Sequence, residues 1–446
     1  MSSVYWWRSG LLTLFNRSSS LLFNLLGFIL LVRYILSTHE YGIWTLYFTV
    51  TSLVEVSRNG LIKNALIKNL VQADSNEVYG QVFSASLLIN FVFILSCYLV
   101  LLLASPLLVD VWGAHQLTEM FMWYGVSALG LILFSQLEFL QQANMRFEGV
   151  MLATFTRNGT FFLVVISLML WTPGDILLKL VWGQALSIFL GLAVSAIFAK
   201  RFIKGKLVLK KNKVKELFHF GKYTLATNLT TVIYKDTDQM MIGAMISPSA
   251  VAIYNAAIKI NSFAQVPSMA MAEIAFPKSV ESGHSKGTSA QKYMYEKSVG
   301  VVLAILFPVV IGVLLFPKFI INTIAGPEYL AAAVVLQLTI LYIPFIPFSR
   351  QFGVIIESIG KPKINSSIEL GSAVLNLVLN YFFILSFGIM GAVYATLIAR
   401  LLKLIIQSLV LKKMIRVDIL NAFTYMFAFY REIPQLLGRI PGKVSK

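Results

Sequence analysis

Two runs, FHFGKYTLATNLTTVIYKDTDQMMIGAMI at Phe218–Ile246 and AVAIYNAAIKINSFAQVPSMAMAEIA at Ala250–Ala275, decide how the chain is read. Each exceeds the roughly 20 residues a helix needs to cross a bilayer, and the turn Ser247-Pro248-Ser249 joins them into a hairpin. Yet Lys222, Lys235, Asp236, Asp238, Lys259 and Glu273 lie inside them, among Met, Ile, Ala, Val and Phe. An ionised side chain at the centre of a spanning helix costs about 2.5–3.5 kcal/mol on the mildest scale. Several in one hairpin are tolerable only facing each other or a water-filled cavity. The expectation is a hydrated cationic chamber lined by this hairpin.

The rest of the chain fits a membrane protein. Of 446 residues, 57% are hydrophobic and 13% charged, with mean hydropathy +0.77; soluble domains carry about 25% charged residues. Long apolar runs without alternation exclude transmembrane strands. The spans predicted are 10–34, 42–61, 82–104, 118–140, 150–171, 176–199, 218–246, 250–275, 294–316, 331–349, 367–386 and 388–410, an all-α polytopic protein of about twelve helices. The single cysteine, Cys97, closes no internal disulfide and reads as a packing residue. No cleavable signal follows the first run, and Trp6, Trp7 and Arg8 read as an interfacial anchor.

The formal net charge of +17 sits mostly in loops and the tail, where it anchors to a membrane and argues against a nucleic-acid partner. After even-numbered spans come Lys63 and Lys68, Arg146, the cluster from Lys200 to Lys215, Lys278 to Lys297, and Lys412, Lys413 and Arg416. The opposite connections hold only Arg33, Lys179 and Lys318. The positive-inside rule therefore predicts both termini in the cytoplasm.

The basic stretch 200–217 divides the chain into an N-terminal lobe, 1–199, and a C-terminal lobe, 218–412, followed by an amphipathic cytoplasmic tail, 413–446. A shift of 210 positions relates the lobes weakly: Leu36-Ser37 falls on Ile246-Ser247, Gly42-Ile43-Trp44 on Ala252-Ile253-Tyr254, and Lys68 on Lys278. Six spans per lobe makes these parallel repeats. In the tail, Ile419, Leu420, Phe423, Met426, Phe427 and Tyr430 form an apolar face too short to cross, expected to lie in the interface, and Pro434 and Pro441-Gly442 are expected to end order.

Two constellations could carry function. The cations at membrane depth are Arg17, Lys235 and Lys259, with Arg58, Lys222 and Arg350 nearer the cytoplasmic ends. They suit a phosphate or pyrophosphate, Arg as a forked donor and Lys as a point charge; the competing reading has the outer three snorkelling and Lys235 pairing with Asp238. The second is polar: Asn376 and Asn380 share a face of one helix, Thr396 follows on the next, and Asp238 supplies a carboxylate. Such oxygens hold a sodium ion or position a carboxylate to exchange a proton, unless the asparagines simply join helices. Glu138 is either a proton site or a partner for an arginine. His39, His115, His219 and His284 are scattered, with no metal-site spacing, and the chain carries no P-loop and no G-x-S-x-G. A transporter without a nucleotide site runs on an ion gradient or membrane potential, so the coupling species expected is H+ or Na+ and no cofactor.

Phe220-Gly221-Lys222, Asp238-Gln239-Met240-Met241-Ile242-Gly243 and Val251-Ala252-Ile253-Tyr254-Asn255-Ala256-Ala257 resemble the helix 7 to 8 signature of Wzx-type oligosaccharide flippases, of the polysaccharide transporter family. So do Tyr41-Gly42-Ile43-Trp44, Ala275-Phe276-Pro277-Lys278, Ala325-Gly326-Pro327-Glu328-Tyr329 and Ser358-Ile359-Gly360-Lys361-Pro362-Lys363. The resemblance covers nearly the whole chain. It implies the fold of the multidrug/oligosaccharidyl-lipid/polysaccharide (MOP) exporter superfamily, two six-helix lobes in a V around a central cationic cavity. It implies as cargo a polyprenyl-pyrophosphate-linked (undecaprenyl) repeat unit of O-antigen, lipopolysaccharide or another polysaccharide, flipped across a bacterial inner membrane. Its implied partners are membrane lipid and polysaccharide polymerase and chain-length machinery.

Relatives that flip peptidoglycan lipid carry a sodium site that Asp238, Asn376, Asn380 and Thr396 resemble, with Asn380 in place of an acid. That replacement leaves proton coupling open. On this reading the pyrophosphate is held by Arg17 and Lys259 with Lys235 during alternating access, and the chain is a transporter, not an enzyme. The alternatives are a multidrug organic-cation antiporter of the same fold, which would favour acidic walls, and a membrane-embedded glycan polymerase or ligase, which would need a large periplasmic loop.

Overall fold

A computed structural model describes residues 3–170 and 174–438, with the side chains of most of them. The side chains of Trp6, Trp7, Arg8, Lys235 and Glu273 are not among those described, and Pro441-Gly442 lies outside the described residues. The described chain is helical, without strands. In order come α1 (Ser3–Leu30), continued by a π-helical turn Leu31–Ile35, α2 (Thr38–Val71), α3 (Asn76–Trp112), α4 (Gln116–Ala143), α5 (Phe147–Leu170) and α6 (Ile176–Ala199). After the basic connector come α7 (Lys211–Met245), α8 (Pro248–Phe263), α9 (Val266–Leu315), α10 (Pro317–Ile324), α11 (Ala332–Thr339) and α12 (Phe345–Ser358). The last three are α13 (Pro362–Phe387), α14 (Ile389–Ile415) and α15 (Ile419–Gly438).

Local chemistry sets the ends. Ser37 and Glu40 form a reciprocal capping box at the start of α2, satisfying donors a helix leaves open. Asp175 accepts from the Leu177 and Leu178 amides at 2.9 and 3.3 Å to start α6. α3 stops at Gly113, whose φ of +59° suits a residue without a Cβ.

Among the described residues nine helical segments are long and apolar enough to cross a membrane. The expected spans at 42–61, 218–246 and 250–275 are not among them. α2 and α7 have 34 and 35 residues, about 50 Å at 1.5 Å per residue, so length is not what they lack. What lowers their hydropathy is charge: Glu55, Arg58 and Lys63 in α2, and Lys222, Lys235, Asp236 and Asp238 in α7.

Two expected single helices prove to be broken. The segment 250–275 is α8, a break at 264–265 and the start of α9, which runs on through the loop expected before 294. The segment 331–349 is α11, a 3-10 turn at Ile340–Tyr342 and the start of α12. α15 continues through Pro434 to Gly438 rather than ending there.

The chain forms two compact units, Met1–Ala252 and Ile253–Lys446. In the first, α7 packs along α2, so this division falls beyond the connector at 200–217, and the six-plus-six lobes stay an expectation. Small residues make that approach possible. A Cβ on Gly221 would lie 2.0 Å from the Leu61 carbonyl oxygen, and at the start of α8 the Pro248 carbonyl oxygen would lie 1.8 Å from a Cβ on Gly42 of α2. Helices in lipid lack a hydrophobic drive to associate and gain instead from such close backbone contact. Leu61, Leu66, Val82, Phe83, Leu140 and Leu217 form the core around it.

In the second unit α9, α12, α14 and α15 share a core including Val299, Leu303, Phe352, Leu411, Ala422 and Met426. The tail helix is therefore packed on α9, and only its other face, with Leu420, Phe423 and Phe427, is exposed. Glu296 on α9 holds its start, accepting from the Asp418 amide at 2.9 Å and Asn421 Nδ2 at 3.2 Å.

Candidate functional site

Helix α13 shows how the polar residues are arranged. Leu370, Val374, Leu377, Val378, Tyr381 and Leu385 are exposed, an apolar outer face of the kind lipid covers. Glu369, Ser372, Asn376 and Asn380, spaced by three or four, share the other face. α14 repeats the pattern with Thr396, Arg400, Lys403 and Gln407. The two helices run antiparallel in a register that sets Asn376 beside Thr396 and Glu369 beside Lys403. Asn376 Nδ2 donates to Thr396 Oγ1 at 3.2 Å, and Asn380 Nδ2 donates to Asn376 Oδ1 at 3.1 Å. Lys403 Nζ stands 2.6 and 2.7 Å from the two Glu369 oxygens. The result is a polar seam inside an apolar helix pair.

The three polar residues expected together on these helices, Asn376, Asn380 and Thr396, are thus hydrogen-bonded and buried. Asp238, the fourth, is buried on α7 in the first unit. Arg350, on α12, comes within electrostatic reach of Glu369. Arg400 stacks over the Tyr342 ring, its guanidinium carbon 4.1 Å from the centroid. Among the described residues no group of three His, Cys, Asp or Glu could hold a metal ion.

The first unit has its own charged group. Arg58, 1% exposed, donates from Nη1 to the Leu131 carbonyl at 2.8 Å and from Nη2 to Asn59 Oδ1 at 2.9 Å. Glu55 lies 4.0 Å from Arg58 and 3.5 Å from Arg157. Glu138 accepts from Gln142 Nε2 at 3.0 Å, and its charge interacts with those of Lys63, Arg157 and Arg58. Arg58 and Glu138 are therefore members of one network of three cations, Arg58, Arg157 and Lys63, and two carboxylates, in which each arginine has a carboxylate neighbour. Above it, Tyr47 donates to Gln184 Oε1 at 3.2 Å in an aromatic stack with Trp44 and Phe121.

The remaining expected cations lie on α1, α7 and α8. Arg17 on α1 and Lys222 on α7 are exposed, and Lys259 on α8 is half-buried. Two surface hollows in the first unit, of about 520 and 560 Å³, contain none of the expected site residues. One is lined by Tyr79, Asn144 and Lys204, the other by Lys68, Lys215, His219 and Phe220.

Sequence reasoning missed Glu55, Arg157, Glu369, Arg400 and Lys403. All five lie inside expected spans, and on α13 and α14 the signal was available as polar residues recurring every three or four positions.

The polytopic all-helical fold resembles that of solved proteins of the MOP superfamily. The lipid II flippase MurJ, in an inward closed conformation, matches 98% of this chain and 93% of its own, with a TM-score of 0.75 at 15% identity. The profile of the family described as polysaccharide biosynthesis protein matches residues 30–334, and the chain belongs to that family. Among curated relatives, a probable low-salt glycan biosynthesis flippase, Agl15, of Haloferax volcanii is 29% identical over 42% of this chain and 40% of its own length. A putative O-antigen transporter of Shigella flexneri is 26% identical over 48% of this chain and 50% of its own. The matches thus span half or less of those relatives.

Proposed function

We propose that the protein translocates polyprenyl-pyrophosphate-linked oligosaccharide repeat units, such as those of O-antigen, from the cytoplasmic to the outer leaflet of a bacterial inner membrane. It does so by alternating access, as a transporter rather than an enzyme, with both termini in the cytoplasm. The observation that carries the reading is charge and hydrogen-bonding capacity gathered on inner faces of helices whose outer faces are apolar, in a chain of the polysaccharide biosynthesis family. A sugar headgroup needs polar partners at membrane depth, and its prenyl tail needs none. For a coupling proton or sodium ion the candidate groups are Asp238, Asn376, Asn380 and Thr396. The product would pass to polymerase and chain-length machinery in the outer leaflet.

An organic-cation antiporter of the same fold would be served by acidic walls, whereas the seam holds Lys403, Arg400 and Arg350 around one carboxylate. Expression in a strain lacking its own flippase tests the proposal. Restored surface glycan, without a change in susceptibility to cationic drugs, is the expected result. Drug resistance without restored glycan, in strains supplying several different repeat units, would overturn it.

A further inference from the structure

Helices α12, α13 and α14 bring together more positive charge than the described carboxylate among them neutralises. Arg350 comes from α12, Arg400 and Lys403 from α14, and Glu369 from α13 is the carboxylate among them. Lys403 is 8% exposed and takes up both Glu369 oxygens. Arg350 and Arg400 each keep a buried Nε with no hydrogen-bond acceptor among the described residues. Arg400 rests on Tyr342, a contact that orients its fork without occupying its donors. Among the described residues, these three cations and one carboxylate carry a formal excess of two positive charges. In a membrane-embedded helix group such an excess is costly unless something neutralises it.

The first unit shows the contrast. There Glu55 and Glu138 stand among Arg58, Arg157 and Lys63, an excess of one, and although Arg58 Nε also lacks an acceptor, both its Nη atoms are engaged. In the second unit two planar forks, still half-exposed, have donors to spare.

We propose that Arg350, Arg400 and Lys403 form a binding site for a diphosphate group, with Glu369 as the counter-ion that holds Lys403 in place until the ligand arrives. A diphosphate esterified at both ends carries two negative charges, matching the excess, and its non-bridging oxygens suit two arginine forks. A lone carboxylate or a phosphate diester brings one charge and leaves the other uncompensated. The inference rests on the transport reading given above, for which it places the pyrophosphate of the cargo in the second unit.

The test uses the full chain in nanodiscs of phosphatidylcholine, with inorganic pyrophosphate as probe and inorganic phosphate as comparison, measured by calorimetry. Pyrophosphate should bind more tightly than phosphate and raise the thermal midpoint more. Arg350→Gln and Arg400→Gln should each weaken it about 10-fold or more, the worth of one charge-assisted contact. Glu369→Gln should strengthen it. The paired change Lys403→Met with Glu369→Gln removes the ion pair without stranding a buried charge, and should weaken binding relative to Glu369→Gln alone. Unchanged affinity in folded arginine variants overturns the site, as does equal affinity for phosphate. Displacement of pyrophosphate by added phosphatidylglycerol also overturns it, reassigning the cluster to bilayer headgroups. If unmodified protein shows no difference between the two anions, the site fails whether or not the variants fold. Pyrophosphate binding that needs these residues in a protein that restores no glycan would leave the site standing and remove the transport reading.

Discussion

Adding a single methyl group at Gly221 should loosen the first unit. The Cβ of an alanine there would stand 2.0 Å from the Leu61 carbonyl oxygen, where ordinary contact begins at 3.4 Å. α7 and α2 must therefore part by about 1.4 Å at that point, and the opposing atom is backbone, which cannot rotate aside. Overpacking of this kind costs about 1–3 kcal/mol, and a gap of about 1 Å forfeits up to half the dispersion attraction of the atoms lining it. The expected loss is about 2–3 kcal/mol. The matched control is Gly371→Ala on α13, where a Cβ meets nothing within 4 Å; there alanine should be neutral or stabilising by up to about 1 kcal/mol through helix propensity. Purified variants heated in detergent and scored for the monodisperse fraction give the comparison directly. Gly221→Ala should lose its monodisperse fraction several degrees below the parent protein, and Gly371→Ala should not. Equal midpoints for the two would refute the close approach of α2 and α7.

Three further outcomes follow from named contacts. Glu296→Ala removes the acceptor of the Asp418 amide and of Asn421 Nδ2 and should release the start of α15 at a cost of about 2–3 kcal/mol, read as faster proteolysis between α14 and α15. Arg157→Gln leaves Glu55 with Arg58, 4.0 Å away, as its ion-pair partner among the described residues, so a double-mutant cycle of Arg157→Gln with Glu55→Gln should show about 1–3 kcal/mol of coupling; additive effects would show that the pair does not interact. Asn376→Leu breaks the interhelical bond to Thr396 and the bond from Asn380 within α13 and should cost about 1 kcal/mol, interhelical bonds in membranes averaging about 0.6, while abolishing any sodium or proton dependence of transport.

How much of this was legible in the sequence depends on whether the signal was local. Runs such as Ile176–Ala199 and Ile389–Ile415 declare themselves by length and hydropathy, and the expected bounds 176–199 and 388–410 agree closely with the helices. Breaks inside apolar runs do not announce themselves. The 3-10 turn at Ile340–Tyr342 lies in a sequence as apolar as its flanks, and the break at 264–265 has only Pro267 near it. Glycines were visible as motif letters in Tyr41-Gly42 and Phe220-Gly221, but the reason for them is a contact between helices distant in sequence. The seam was legible in part: Asn376, Asn380 and Thr396 were read from spacing, whereas Glu369, Arg400 and Lys403 were passed over. Nothing in one helix shows that its charged residues face those of the next until the antiparallel register is known. Arg58 illustrates the opposite difficulty. A cation near the end of a span looks available for a ligand, and only its carbonyl acceptor on α4 shows that it is already engaged.

Movement of a lipid-linked glycan across a sealed bilayer is the most direct test. Proteoliposomes holding the purified chain and a polyprenyl-pyrophosphate-linked oligosaccharide, probed from outside with a glycosidase that cannot enter, should lose nearly all of the glycan under an imposed proton or sodium gradient. Protein-free vesicles should lose only the outer half. Digestion that stops at half in both, for cargoes of several sugar compositions and under either gradient, would contradict the account.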